Sequence, residues 1–448
     1  MPPRRFRDRV LRRGARRDGT RTALDVAPGL PERDADRVRD VIAGLLRSHD
    51  PLNRRADAEA VVDAYLSLSD DGRRNFLGLL AHDFWSDPDA VDEATKVLHE
   101  TGVTDADRRR RETQLRAALT PPVHALLHLF TGLDGGVKFV VDLRADSLRL
   151  TGADPALHDL DREMKDHVAD LFDVGLLTLR RITWDAPAAL LEKLIAYEAV
   201  HAISSWDDLK NRLDSDRRCY AFFHPSMPGE PLVFVEIALT DGIATELPPL
   251  LDARAPDLDT DLADTAVFYS ISNCQPGLAG VNLGTALIKQ VVEALRTDLP
   301  HLRRFVTLSP IPGFRRWLED QLRVGTGLNA KERELLPAEP ARVAARLDAE
   351  EWAVDEAIRP GLLALAARYL TATPEGRVVD PVANFHLSNG AAIERINWMA
   401  DPSPVGRDRS YGLMANYLYE PEALAERSEA YAGGTVTASP AVRDLVAG

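Results

Sequence analysis

The stretch Phe268–Trp317, FYSISNCQPGLAGVNLGTALIKQVVEALRTDLPHLRRFVTLSPIPGFRRW, carries the reading of the fold. Ala266–Ser272 is β-branched and aromatic, which predicts a strand. Gly277, Gly280 and Gly284 follow within eight positions, and glycine permits close backbone approach and positive φ. Leu287, Ile288, Val291, Val292 and Leu295 then recur at helical spacing, so Thr285–Arg296 is expected as an amphipathic helix. The free N–H groups of its first turn favour an anion in the glycine loop. Arg304–Leu308 is expected as a second strand. SPIPGF (309–314) is too proline-rich to continue it, which leaves Ser309 where the strand ends and the chain turns away. The glycine spacing fits neither GxGxxG nor GxxxxGK[ST], so dinucleotide and P-loop readings lose support. From these residues alone, a glycine-rich connection that holds no ligand stays open.

N-terminal to this stretch, the pattern is helical nearly throughout from Ala35 to about Arg181. Val38, Val41, Ile42, Leu45 and Leu46 share one helix face. Ser69 or Asp70 caps the helix that holds Phe76, Leu79 and Leu80. Asp87–His99 and Asp105–Leu119 read as further helices, and Pro121 and Pro122 open another, where a missing N–H is no loss. This all-α region is expected to serve packing and self-association. WDAPA (184–188) marks a boundary near Thr183–Ala189. Beyond it come a helix over Leu190–Val200, strands over Cys219–His224 and Leu232–Thr240, and an acidic, proline-containing loop from Asp241 to Asp264. After the quoted stretch, Lys331–Leu347 and Glu350–Leu370 read as helices, and Val382–Leu387 and Ala391–Met399 as β. After about Glu429 the chain is small and polar, with a poorly specified helix at most.

At 448 residues the chain is long for a single core, so two domains are expected. Hydrophobic content of 45% and charged content of 28% are those of a soluble globular protein. No run of apolar residues is long enough for a transmembrane helix. A net charge of −15 argues against a general nucleic-acid binder and requires local positive potential wherever an anion binds. Cys219 and Cys274 are the only cysteines, which excludes a disulfide framework and a Cys-based zinc site. His124 and His128 have helical i, i+4 spacing but no third ligand is indicated, so no metal is expected. The first residues, MPPRRFRDRVLRRGARR, carry eight arginines and superficially suggest a mitochondrial transit peptide. They lack serine and include an acidic residue, and the whole chain is rich in Ala, Asp and Arg. A bacterial, cytoplasmic protein with a basic, partly disordered arm over residues 1–34 is the expectation.

Several long segments resemble malonyl-CoA decarboxylases in type and order. They are AYEAVHAISSWDDLKNRL (196–213), RRCYAFFHPSMPGEPLVFVEIALT (217–240), FYSIS (268–272), SPIPGF (309–314), DPVANFHLSNGA (380–391), RINWMAD (395–401) and GLMANYLYE (412–420). The resemblance covers about Trp184 to Glu420, and the N-terminal third is similar only in being helix-rich. It implies an α+β protein: an all-α N-terminal domain (35–185) for oligomerisation, a GNAT-like mixed α/β catalytic domain (186–428) and a C-terminal tail (429–448). It implies conversion of malonyl-CoA to acetyl-CoA and CO2 with no metal or organic cofactor. The implied assembly is a homo-oligomer, a dimer of dimers, with neither nucleic acid nor membrane insertion involved. In GNAT-type acyltransferases CoA enters between two splayed parallel strands, here Ala266–Ser272 and Arg304–Leu308. The pyrophosphate would lie over Gly280, Val281, Leu283, Gly284 and Thr285, with Lys289, Arg315 and Arg316 as candidate phosphate partners.

The same resemblance makes Ser309 and His386 the catalytic pair and places Tyr419 at the active site, with Tyr417 assigned to core packing. At Asn282 the chain departs from the family, which has GVELG where this sequence has GVNLG. Any step that needs a carboxylate at Asn282 is therefore in doubt here. The chemistry suits these residue types. Loss of CO2 leaves an electron pair on the α-carbon that spreads onto the thioester oxygen, so the site must stabilise an enolate and then protonate carbon. On a strand, His386 would lie beside Asn384 and Asn389, with Phe385 and Leu387 facing the other way. Its imidazole could donate to the oxyanion and pass a proton. Ser309 could bind the malonyl carboxylate or donate to the thioester oxygen. No GxSxG elbow exists, and decarboxylation needs no acyl-enzyme. A GNAT-type acyltransferase and a non-catalytic acyl-CoA sensor share the CoA loop and stay open as alternatives.

Overall fold

The computed structural model describes residues 24–101, 104–150, 152, 154–255, 258–324, 328, 333–334, 343, 347 and 357–447. The basic arm up to residue 23, nearly all of the helix expected over 331–347, and residues 350–356 of the next one lie outside the described residues. The chain forms two compact units. One comprises Met1–Thr178, Phe223–Leu232 and Cys274–Asn282, the other Leu179–Phe222, Val233–Asn273 and Leu283–Gly448. The backbone thus passes from one unit to the other five times.

The first unit is built from helices at Glu32–Arg47, Pro51–Ser67, Asp70–Asp83, Pro88–His99, Asp105–Leu119, Pro122–Thr131, Gly136–Leu150 and Pro155–Leu171. They start where the sequence supplies caps: Ser69 Oγ accepts from Gly72 N, Asp87 from Asp89 N and Thr104 Oγ1 from Asp107 N. Tyr65, Phe76, Phe130 and Phe139 meet edge to face in the core, with ring centroids 5.0–5.6 Å apart. The glycine loop's first segment belongs to this unit. The buried Arg144 donates to the carbonyls of Gly277 (2.7 Å) and Ala279 (2.9 Å). A Cβ on Gly277 would fall 1.8 Å from the Val141 carbonyl oxygen, so close packing on the Gly136–Leu150 helix requires that glycine.

The second unit is organised on a mixed sheet of β1 (Thr178–Ile182), β2 (Arg217–Phe223), β3 (Pro231–Thr240), β4 (Thr265–Asn273), β5 (Arg304–Thr307), β6 (Ser309–Pro310), β7 (Ala392–Asn397) and β8 (Met414–Tyr419). Neighbours run β1-β2-β3-β4-β5-β8, with β6 and β7 also on β8. β3 and β4 are antiparallel, and β4 and β5 are parallel from Thr265/Arg304 to Phe268/Thr307. The helix between them, Leu283–Asp298, buries Leu287, Ile288, Val291, Val292 and Leu295, the face expected from their spacing. β8 runs antiparallel to β5 (Val306 opposite Leu418) and to β6 (Ser309 opposite Ala415) in one continuous register.

Two sequence expectations are corrected here. Ser309 does not leave the sheet: Ser309 and Pro310 resume pairing with Ala415 and Met414 after a two-residue gap. Proline is tolerated because β6 pairs on one side only, where its missing N–H breaks no second ladder. Val382–Leu387 is not a strand but part of a helix, Pro381–Ser388. Asp380 caps it, its Oδ1 accepting from Val382 N (3.0 Å) and Ala383 N (2.9 Å), and Pro381 takes the first turn. The end of the chain also carries more structure than its composition suggests. Thr437–Ser439 bonds to Ile393 of β7, and a helix follows over Pro440–Ala447.

The second unit also buries an ion pair. Arg212 Nη1 lies 2.8 Å from Glu236 Oε2, with both side chains 2% exposed, and Arg212 Nε donates to Asp208 (2.8 Å). Removing one partner leaves the other charge buried and unpaired. Arg212→Ala should therefore cost about 3–5 kcal/mol of unfolding free energy in urea.

Candidate active site

The site grows from the two corrected elements. The helix Pro381–Ser388 presents His386 toward the gap between β5 and β6. His386 Nε2 lies 3.0 Å from Ser309 Oγ, and Nδ1 lies 2.7 Å from the Tyr419 hydroxyl. The Ser309 hydroxyl donates to Thr307 Oγ1 (2.9 Å), which also accepts from Tyr417 N (3.2 Å). Ser309, His386 and Tyr419 are 7%, 2% and 1% exposed. Tyr417, expected only in the core, stacks its ring on the imidazole at a centroid distance of 4.4 Å and 25°. Asn384 and Asn389 do not flank the imidazole as they would on a strand. Asn384 accepts from the Tyr431 hydroxyl (2.8 Å), and Asn389 Oδ1 accepts from the Thr285 hydroxyl (2.6 Å).

Burial governs the electrostatics. It pushes the His386 imidazole down from its ordinary 6.5 to about 3, because no carboxylate stands beside it to support a charge. The same burial pushes the Tyr419 phenol up, so it too stays neutral. The three side chains form a neutral chain of donors and acceptors that can hold or relay a proton.

Other residues singled out from sequence have mixed fates. Asn282 is exposed and closes the last segment of the first unit, one residue before the Leu283–Asp298 helix, whereas the Ser–His–Tyr chain lies in the second. Leu283 and Gly284 are buried in that helix's first turn, and a Cβ on Gly284 would come within 2.9 Å of Phe385 Cζ. Val281 is half-buried. Gly280 has φ +79°, and a Cβ there would meet Lys165 Cε at 3.1 Å and Nζ at 3.4 Å. Lys165 thus brings positive charge to this loop, which no pattern in the sequence announced. Lys289 and Arg316 are exposed. Arg315 is engaged by Glu319 (2.7 Å) and lies over the Tyr411 ring. Sequence reasoning also missed Thr307 and Asn416, whose Nδ2 donates to the Thr307 carbonyl at 2.7 Å. Asn416 stands inside the GLMANYLYE motif, but only the sheet register reveals its role.

His124 bonds Glu163 (2.6 Å) and His128 (3.1 Å), and buried His167 packs its ring 4.5 Å from that of His128. Among the described residues, no group of three His, Cys, Asp or Glu side chains is placed to hold a metal ion. Likewise, no described helix is long and apolar enough to cross a membrane.

A helical region followed by a mixed sheet, with a buried hydroxyl–imidazole–phenol chain at a break in that sheet, defines an α+β protein equipped for proton transfer. The malonyl-CoA decarboxylase C-terminal domain matches residues 175–448, and the malonyl-CoA decarboxylase N-terminal domain matches residues 84–172. The chain belongs to the malonyl-CoA decarboxylase family. It is 38% identical over 436 residues to the mitochondrial malonyl-CoA decarboxylase of Rattus norvegicus, spanning 90% of this chain and 87% of that one. The Anser anser anser protein of the same name is 37% identical over 462 residues, 95% of this chain and 91% of that one. Among solved structures, the malonyl-CoA decarboxylase from Agrobacterium vitis superposes with a TM-score of 0.83 at 39% identity. The one from Rhodopseudomonas palustris gives 0.83 at 38%; each alignment covers 92% of this chain and 99% of the other.

The buried imidazole makes stability depend on pH. Unfolded, it binds a proton near 6.5; folded, it refuses one until about 3. Its contribution is complete above 6.5 and is lost as pH falls toward 3. Urea midpoints measured from pH 7 to pH 4 should fall more steeply for the wild type than for His386→Gln; parallel curves would contradict the burial.

Proposed function

We propose that this chain converts malonyl-CoA to acetyl-CoA and CO2, the activity for which its relatives are named. The observation that carries the reading is the 3.0 Å bond between Ser309 Oγ and His386 Nε2, completed by Tyr419 at 2.7 Å. It lies in a chain that matches a malonyl-CoA decarboxylase along 90% of its length.

The bond between the α-carbon and the carboxylate breaks heterolytically, and its electron pair moves into the thioester as an enolate. CO2 leaves, and the α-carbon then takes one proton, so each turnover consumes a proton. The thioester carbonyl is itself the electron sink. A neutral hydroxyl suits an oxyanion, because it donates without first having to lose solvation of a charge, and Ser309 offers one once its proton turns away from Thr307. In the GNAT-like arrangement that the family resemblance implies, CoA lies beyond Phe268 and Thr307, the last pair of the parallel register of β4 and β5. Its phosphates then meet the first turn of the Leu283–Asp298 helix, where free N–H groups favour an anion. Gly284 lets the Phe385 ring pack against this turn. Thr285 contributes its N–H, since its hydroxyl is committed to Asn389.

Ser309→Ala and His386→Ala should each lower kcat by about 10²–10⁴-fold while the far-ultraviolet spectrum is kept. The assay follows acetyl-CoA by chromatography together with released CO2. Near-wild-type rates in both variants would sink the assignment of these residues, and a folded wild type that leaves malonyl-CoA intact would sink the activity. Asn282→Glu should raise kcat if a carboxylate at that position assists the step; an unchanged rate removes that role.

A further inference from the structure

Thr307 is the residue on which the direction of every proton in the Ser309–His386–Tyr419 chain turns. It is fully buried at the end of β5, opposite Tyr417 in the register that joins Val306/Leu418 to Ser309/Ala415. In a regular ladder its backbone carbonyl would serve β8 at this level. Instead the carbonyl accepts from the Asn416 side chain (2.7 Å), and the hydroxyl oxygen takes the Tyr417 N–H (3.2 Å). The same oxygen accepts from the Ser309 hydroxyl at 2.9 Å.

A serine hydroxyl has one proton and two lone pairs. With that proton given to Thr307, the 3.0 Å contact between Ser309 and His386 must be donated by the imidazole, from Nε2–H. A neutral imidazole has only one N–H, so Nδ1 is bare, and the 2.7 Å contact with Tyr419 must be donated by the phenol. Burial supports this by keeping His386 and Tyr419 neutral. The order of donation is therefore Tyr419 to His386 to Ser309 to Thr307.

We propose that Thr307 is a positioning residue that, by accepting the Ser309 proton, holds His386 as the Nε2–H tautomer and orients the chain to deliver a proton through Ser309. The role in turnover rests on the decarboxylase reading; the hydrogen-bond direction does not. In turnover the Ser309 hydroxyl turns from Thr307 to the α-carbon, and its O–H bond breaks as the α-carbon forms its new C–H bond. Ser309 recovers a proton from His386 Nε2, His386 Nδ1 takes the Tyr419 phenol proton, and Tyr419 is reprotonated by water. A thioester enolate is a far stronger base than a phenolate, so the transfer runs downhill. One proton enters per CO2 released, as the reaction requires.

The test is nitrogen-15 spectroscopy of the His386 imidazole in the resting full-length protein, beside steady-state kinetics with malonyl-CoA. The wild type should show the proton on Nε2. Thr307→Val keeps the shape of the side chain without the oxygen, so the Ser309 proton should turn to His386 and the imidazole proton should move to Nδ1. Its kcat should fall about 10²-fold with KM changed by no more than about threefold. Thr307→Ser should restore both tautomer and rate, which a merely structural role for the threonine methyl would not predict. A wild-type imidazole protonated on Nδ1 overturns the proposal without any variant, including the case in which Thr307→Val fails to fold. A folded Thr307→Val protein with the wild-type tautomer and rate also overturns it. If the wild type shows the Nε2 tautomer but leaves malonyl-CoA untouched, the decarboxylase reading and the role of Thr307 in turnover both fall, and the assigned hydrogen-bond order stands.

Discussion

The candidate site depends on one register held across a break. β8 pairs with β5 and then with β6 without slipping, so Thr307 and Leu308 must stand opposite Tyr417 and Asn416 although no regular ladder joins them. Their polar groups are buried, and unpaired groups would each cost on the order of 1–3 kcal/mol. Side chains therefore substitute for backbone: Asn416 serves the Thr307 carbonyl, and the Thr307 hydroxyl serves the Tyr417 N–H. On its other flank the parallel pairing with β4 stops at Phe268 and Thr307. The strand is thus opened at one level, and Ser309 emerges immediately after it with its register still fixed. A slip of β8 by one residue would turn Tyr419 to the opposite face of the sheet and separate it from His386.

The break differs in its electrostatics from the buried ion pairs of the molecule. Arg212 and Glu236 are buried as a pair, and Asp146 is buried between Arg73 and Arg149. At Ser309, His386 and Tyr419 the molecule buries polar groups that stay neutral and satisfies them through one another. A carboxylate added beside His386 would support a protonated imidazole, but it would also bear its own desolvation cost. The substrate's negative charge moves from the carboxylate to the thioester enolate as CO2 leaves, and neutral donors avoid a repulsion that a fixed negative charge would impose on it at either place. The overall charge of −15 sharpens that requirement.

The sequence made much of this legible, for uneven reasons. Helical spacing and caps placed the N-terminal helices, and β-branched runs placed the parallel strand pair, because these signals are local. Ser309, His386 and Tyr419 were legible only through long motifs, since no short-range physics links residues so far apart in the chain. The segment VANFHL misled because six residues with apolar and polar side chains interleaved suit either a strand or a short helix. Asp380 and Pro381, an N-cap followed by a first-turn proline, held the deciding signal. Ser309–Pro310 was read as leaving the sheet because proline disrupts a ladder, and its one-sided pairing could not be seen beforehand. Thr307, Asn416 and Lys165 were invisible because each acts through a partner that only the tertiary structure supplies.

The glycine loop's attachment has a consequence for how such a protein can evolve. Arg144 and Val141 hold Gly277 and Ala279 within the helical unit, although those residues lie far along the chain between two strands of the sheet. The helical unit is thus discontinuous in sequence, completed by two short pieces returned from downstream. No single crossover in a gene could transplant it whole, and a break near residue 178 would part the helical unit from its two downstream pieces. Recombination has little purchase on such an architecture. Its two halves are constrained to diverge together, residue by residue, rather than by exchange of parts.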